Sequence, residues 1–273
     1  MKNRSALPGF SLSVGLTIFW VSAIVLIPIT AVFIRSFGDG WSHFLSAAFS
    51  ERAIAAYRVT FGASAAATAI NAVFGLLIAW VLVRFEFPGR RLMSAAVDLP
   101  FALPTAVAGI ALTAIYANNG WIGSILEPMG LPIAYHPQGI VVALAFIGLP
   151  FVVRAVEPVM MDIDIAYEEA AATLGANRWQ LFNKVVFPEI APALATGCAM
   201  AFARGVGEYG SVIFIAGNMP KVSEIAPLLI VTSLEQYDYA GASAIAVVML
   251  LISFSVLAFV DGIQGRTNRR MGI

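Results

Sequence analysis

Long stretches without a charged side chain dominate the chain: Ser5–Ile34, Val59–Val83, Leu99–Leu126, Pro128–Val153 and Tyr239–Val260. A sixth apolar stretch, Ile190–Gly217, is interrupted only by Arg204 and Glu208. A bilayer core about 30 Å thick takes about 20 helical residues at about 1.5 Å each. The pattern therefore predicts six transmembrane helices, near 11–35, 59–84, 96–117, 138–159, 191–216 and 241–263. The fold class that follows is an all-α polytopic membrane protein. Transmembrane β-strands would show short alternating runs, and the sequence has none. Lys2 and Arg4 could open a signal peptide, but the apolar run Leu12–Ile34 is too long for one. No small-residue cleavage site follows it, so the first helix reads as permanent.

Composition sharpens this picture. Hydrophobic residues make up 60% of the 273 and charged residues only 12%, against about 25% in a soluble domain. So few charges cannot clothe a water-facing surface of this size, and lipid is the expected surrounding. The formal net charge is zero, which excludes the basic footprint of a nucleic-acid partner. A single cysteine, Cys198, excludes an internal disulfide or a Cys-rich zinc site and reads as a small buried hydrophobe. His43 and His136 fall in predicted loops without carboxylates or cysteines at ligand spacing. They read as solvated, and no metal ligand is assigned.

Basic residues set the expected orientation. Lys2, Arg4, Arg84, Arg90, Arg91, Arg178, Lys184, Arg266, Arg269 and Arg270 fall on one side of the predicted spans. Arg35, Arg52, Arg58 and Lys221 fall on the other. Both termini are therefore expected in the cytoplasm, with segments 36–58 and 118–137 as short outward stretches.

The segment from Asp162 to Pro188 is too polar to span and carries strong helical signals. Asp162, Asp164, Glu168 and Glu169 crowd its start while Arg178 and Lys184 come late, as a helix dipole prefers. Ala170, Ala171 and Gly175 give it a small-residue surface that another backbone could approach. An ordinary interfacial loop helix would explain the same features. The spacing is more specific. Glu169-Ala170-Ala171, three residues, Gly175, then nine residues to Val185-x-Phe187-Pro188 resembles the EAA signature of bacterial ABC importer permeases, E-A-A-x3-G-x9-I-x-L-P. Val replaces Ile and Phe replaces Leu, both apolar exchanges. The resemblance implies a type I ABC importer permease fold in a bacterial inner membrane. It also implies a coupling helix in which Glu169, Ala170, Ala171, Gly175 and Pro188 serve docking to an ATP-hydrolysing subunit. On this reading 59–263 is the transmembrane module, 1–58 an added helix with its outer segment, and 264–273 a cytoplasmic tail.

The chain supplies no ATPase of its own. A P-loop needs Gly-Lys-Ser/Thr, and the only lysines, Lys2, Lys184 and Lys221, follow Met1, Asn183 and Pro220. No catalytic residue and no cofactor are assigned to it, and the resemblance places ATP and Mg2+ on a partner. Asp98-Leu-Pro-Phe-Ala-Leu-Pro-Thr-Ala-Val-Ala-Gly109 and Arg204-Gly-Val-Gly-Glu-Tyr-Gly210 are similar to the sulfate/molybdate branch of these permeases. Leu7-Pro-Gly-Phe10 and Glu235-Gln-Tyr-Asp-Tyr-Ala240 resemble the T-type (also U-type) sulfate/thiosulfate subunit. That implies a second, W-type permease, two ATPase copies and a periplasmic sulfate/thiosulfate-binding protein as partners. A molybdate or tungstate permease is the nearest alternative. An ion-coupled secondary transporter is more distant, because Glu208 is the only clearly central acid and no half-to-half repeat is evident.

Two intramembrane features complete the reading. Pro100 and Pro104 remove backbone donors near the start of the third helix, consistent with either a packing kink or a cavity lining. Arg204 and Glu208, four apart in the fifth helix, would each cost about 2.5–3.5 kcal/mol facing lipid at mid-bilayer, so they should face inward, paired or wet.

Overall fold

The computed structural model describes residues 10–271, and every regular element among them is helical. The first span is α1 (Phe10–Val21) and α2 (Ile27–Ser36), joined by a π-helical turn at Ser22–Leu26. Then follow α3 (Gly40–Ala48), α4 (Glu51–Arg84), α5 (Arg90–Ala102), α6 (Thr105–Tyr116) and the single turn α7 (Gly123–Leu126). After α8 (Pro137–Asp162) come α9 (Ile165–Thr173) and α10 (Arg178–Leu181), which runs through a π-helical turn into α11 (Phe187–Val206). Short α12 (Val212–Ile215) and α13 (Ala226–Glu235) precede the last helix, α14 (Tyr239–Met271). Five of these helical stretches are long and apolar enough to cross a membrane, and α5 with α6, apolar enough as a pair but sharply bent, brings the number to six when counted as one span.

α4 is the spine. Ser50 caps it, its side chain accepting the Ala53 N–H at 3.1 Å, and Glu51 favours the positive end of the dipole. Its buried positions Ala56, Thr60, Ser64, Ala67, Asn71 and Gly75 recur every three or four residues along one face. Three cores lie along it. One gathers Phe44, Tyr57, Leu229 and Ile245, the next Ala67, Ile140, Leu144 and Ile215, and the last Leu82, Val97, Val156 and Ile190.

Lipid tails are as apolar as leucine, so helices in a bilayer associate through close packing more than through apolar burial. Val152 on α8 shows how. A Cβ on Gly75 of α4 would lie 2.8 Å from Val152 Cγ1, and one on Gly197 of α11 would lie 2.9 Å from its Cα. Bare glycines on both flanks let α4 and α11 close on α8 at one residue. The first span stays outside this bundle: none of its apolar window is buried, and it rests on α14 through α2.

Three predicted helices change shape. The third is broken: α5 and α6 meet at 116°, with Leu103 extended (φ −86°, ψ 135°) ahead of Pro104. A proline disfavours α geometry in the residue before it, so the helix stops there and restarts at Thr105. The second begins at Glu51, earlier than the predicted 59, because charges that mark a boundary in sequence are paired in space. Arg52 binds Glu224 through two hydrogen bonds of 2.8 and 2.7 Å, and Lys221 reaches Glu51 at 2.6 Å. The fifth ends at Val206, so Glu208 lies just past the helix, not within it as predicted.

Candidate functional site

The EAA segment is not one helix but two, turned at its glycine. Asp164 caps α9, its Oδ1 accepting the Ala166 N–H at 2.9 Å. At the far end Gly175 takes φ +84°, the Gly175 N–H reaches the Ala172 carbonyl at 3.0 Å, and the Ala176 N–H reaches that of Ala171 at 3.1 Å. This pair of bonds is the Schellman stop, which places a left-handed residue, usually glycine, just after the helix. Asn177 and Gln180 then exchange side-chain to backbone bonds of 2.8 and 3.0 Å, a capping box that starts α10. Gly175 therefore forms the turn between the two helices.

The loop is tied to the bundle on one side only. Glu168 forms an ion pair with Arg84 at the end of α4, and Arg84 also lies 5.5 Å from the Trp80 ring centre. Phe182 meets Trp80 edge-on at 5.6 Å and stacks with Trp179 at 6.1 Å. Glu169 and Ala170 point outward, Ala171 is half-buried, and Leu174 (89% exposed) and Trp179 (71%) stand in the open. Glu169, Ala170 and Gly175 are thus exposed, while Ala171 and Gly175 line a shallow cavity with Gln180 and Lys184. Pro188 does not belong to it. It lies half-buried at the start of α11, where the π-helical turn Phe182–Val186 ends and a missing N–H is tolerated.

Within the span region, Pro104 sits in the break, while Pro100 lies inside α5. On α6, a Cβ at Gly109 would come within 2.4 Å of the Ser211 carbonyl oxygen, so a bare backbone allows α6 to press on the segment after α11. That segment holds Glu208. Its Oε2 accepts Arg204 Nη1 at 2.5 Å, and its Oε1 accepts the Ser211 N–H at 2.9 Å and the Ser211 hydroxyl at 3.0 Å. The Glu208 side chain is 1% exposed and that of Arg204 36%, so the pair joins a buried carboxylate to a partly open cation. The expected pairing is present, with Glu208 held from beyond the helix end.

A larger charge cluster escaped the sequence reading. Arg154 on α8 binds Asp98 of α5 through Nε at 2.9 Å and Nη2 at 2.6 Å, donates to the carbonyl and hydroxyl of Ser94 at 2.9 Å each, and pairs with Glu157. Two charges inside a predicted span, Arg154 and Glu157, were the available signal. His43 also differs from its reading: it lies on α3, and its Nε2 is 3.2 Å from Asp238 Oδ1.

Residues 71–273 match the family of binding-protein-dependent transport system inner membrane components. The chain belongs to that family. As a member it is a multi-pass permease of the ABC importer class. It is 45% identical over 271 residues to the sulfate transport system permease protein CysT of Escherichia coli, covering 99% of this chain and 98% of that one. The CysT protein of Synechococcus elongatus is 46% identical over 253 residues, covering 93% and 91%. The fold of this permease is also that of a bacterial ABC transporter involved in importing the acidic polysaccharide alginate. The TM-score is 0.77 at 18% identity, covering 94% of this chain and 96% of that one. A methionine ABC transporter (MetNI) superposes over 76% of this chain with a TM-score of 0.56 at 20% identity.

Proposed function

We propose that the chain is the membrane-spanning subunit of an ATP-driven importer for sulfate or thiosulfate, lining the translocation pathway and coupling it to a separate ATPase. The observation that carries this reading is the near full-length identity to sulfate permeases. The remaining parts follow as a working assembly: a W-type permease alongside, two ATPase copies that hold ATP and Mg2+, and a periplasmic binding protein that presents the anion. Both termini and the α9–α10 loop face the cytoplasm in this assembly. The ATPase docks at the segment that carries Glu169, Ala170, Ala171 and Gly175. Its movement passes to α4 through Glu168 and Arg84, and to α8 through the short link at Ile163–Asp164. From α8 it reaches the bent third span through Arg154 and Asp98. Arg154 and Arg204 both carry carboxylate partners, so neither offers a dianion a deep positive well.

The test is reconstitution of the copurified complex in vesicles, with radiolabelled sulfate and molybdate as competing substrates. Uptake that needs ATP and the loaded binding protein, and that prefers sulfate, is expected. Uptake driven by an ion gradient without ATP, or a complex with one permease type that prefers molybdate, would sink the proposal.

A further inference from the structure

Asp39, His43 and Asp238 meet near the Glu51 end of α4, remote from the α9–α10 loop, although 195 residues separate His43 from Asp238. One imidazole nitrogen and two carboxylate oxygens all lie within 4.8 Å of one another, the one such group among the described residues. Asp39 and His43 are four apart at the start of α3, so both project to the same side. Asp39 occupies the cap position of α3, where an aspartate ordinarily accepts an N–H of the first turn. It makes no such bond, and its carboxylate instead gathers with His43 and Asp238. Asp238 is fixed: its Oδ1 accepts the Gly241 N–H at 2.8 Å at the start of α14, and His43 Nε2 lies 3.2 Å from the same oxygen.

Phe37, Trp41 and Phe44 stack with ring centres 4.7–5.4 Å apart, bracing α3. Arg35 lies over the Tyr239 ring at 5.5 Å and forms no ion pair with either carboxylate among the described residues. The side chains of His43 and Asp238 are 36% and 38% exposed, which leaves room for water at a fourth position. In a tetrahedral zinc site with bonds of about 2.0 Å, donor atoms lie about 3.3 Å apart. His43 Nε2 and Asp238 Oδ1, joined here by a hydrogen bond, have a similar spacing that a metal would take over, and Asp39, an exposed residue, has only a short distance to close. One imidazole with two carboxylates suits a borderline divalent cation before a hard one such as magnesium or calcium. We propose that Asp39, His43 and Asp238 form a Zn2+ site with one water-filled position, pinning α3 to the start of α14.

The test uses full-length protein in detergent, freed of any histidine tag and stripped with EDTA. Zn2+ alone is then titrated, bound metal is counted after dialysis, and thermal unfolding is followed. One equivalent of zinc and a raised unfolding temperature are expected, with Co2+ giving the visible bands of a tetrahedral site. Asp39→Asn removes a carboxylate that caps nothing, so the metal-free unfolding temperature should hold while zinc affinity falls more than about ten-fold. His43→Gln should lose at least as much affinity. Wild-type zinc affinity in either variant overturns the site, as does an equal unfolding shift from Mg2+ or the absence of bound zinc in the parent protein.

Discussion

Arg154 grips Asp98 in a fork, Nε to Oδ1 at 2.9 Å and Nη2 to Oδ2 at 2.6 Å, and so fastens α8 to the first limb of the bent third span. Such paired bonds are shorter and stronger than neutral ones and fix orientation as well as distance. The grip is lopsided in its chemistry, because Arg154 also serves Glu157 and Ser94.

That asymmetry orders the variants. Arg154→Ala strands two carboxylates, whereas Asp98→Ala leaves the guanidinium with Glu157 and Ser94. Removing one partner of a fully buried pair costs about 3–5 kcal/mol. Here Asp98 is 46% exposed, so about 1–3 kcal/mol is expected for Arg154→Ala, and less for Asp98→Ala. Thermal unfolding in detergent measures both, and the reverse order would contradict the shared-cation arrangement. Arg154→Lys keeps the charge but not the fork, and should fall between them.

Arg204 and Glu208 should show coupling of a different kind. Arg204→Ala leaves a carboxylate that is 1% exposed with only the N–H and hydroxyl of Ser211. The single substitutions should each reduce stability and sulfate uptake more than the double substitution Arg204→Ala/Glu208→Ala. Strictly additive losses would argue against pairing.

Gly175 separates a backbone effect from a contact effect. A Cβ there would meet nothing within 4 Å, so any harm within this chain comes from φ +84°. Left-handed geometry costs an ordinary residue about 1–2 kcal/mol, and least for asparagine. Gly175→Asn should preserve ATPase stimulation by the loaded binding protein, while Gly175→Val should abolish it with the permease still inserted. Equal loss in both variants would point to the ATPase surface and away from the turn.

Glu168 and Glu169, neighbours in sequence, should part company in experiment. Glu168→Ala releases the loop from Arg84, so amide hydrogen exchange across α9 should rise. Glu169→Ala, on the exposed face, should leave exchange unchanged and weaken retention of the ATPase during purification. Matching exchange profiles in the two variants would remove Glu168 as the tether.

Orientation is open to labelling. Single cysteines at Asn119 and Lys221, in a Cys198→Ser background, should react with an impermeant thiol reagent in intact cells, and Arg90→Cys should not. Labelling at residue 90 alone would invert the topology.

The sequence makes the spans legible because absence of charge over about 20 residues has one dominant physical cause. It leaves the break at Leu103–Pro104 open, since a proline permits a kink or a cavity lining as well as the full stop that the extended Leu103 shows. The EAA spacing picks out Glu169, Ala170 and Gly175, which are exposed, but the turn at Gly175 is visible only in the bonds that the carbonyls of Ala171 and Ala172 accept. Arg154 served as the edge of an apolar gap, although the predicted fourth helix ran past it. Its partners Asp98 and Ser94 lie 56 and 60 residues away, beyond any local pattern.

The break in the third span also divides the chain rotationally. Each residue added to a continuous α-helix turns everything beyond it by about 100°. An insertion near Val152 would swing the rest of α8 out of its seat between two glycines. At Leu103 no helical phase is carried across, so α5 and α6 can each keep their own facing while the connection between them gains or loses a residue. The bent span is therefore the place in this bundle where natural length variation, or a designed reporter residue, can be absorbed without turning the face that holds Asp98 or the face that meets Ser211.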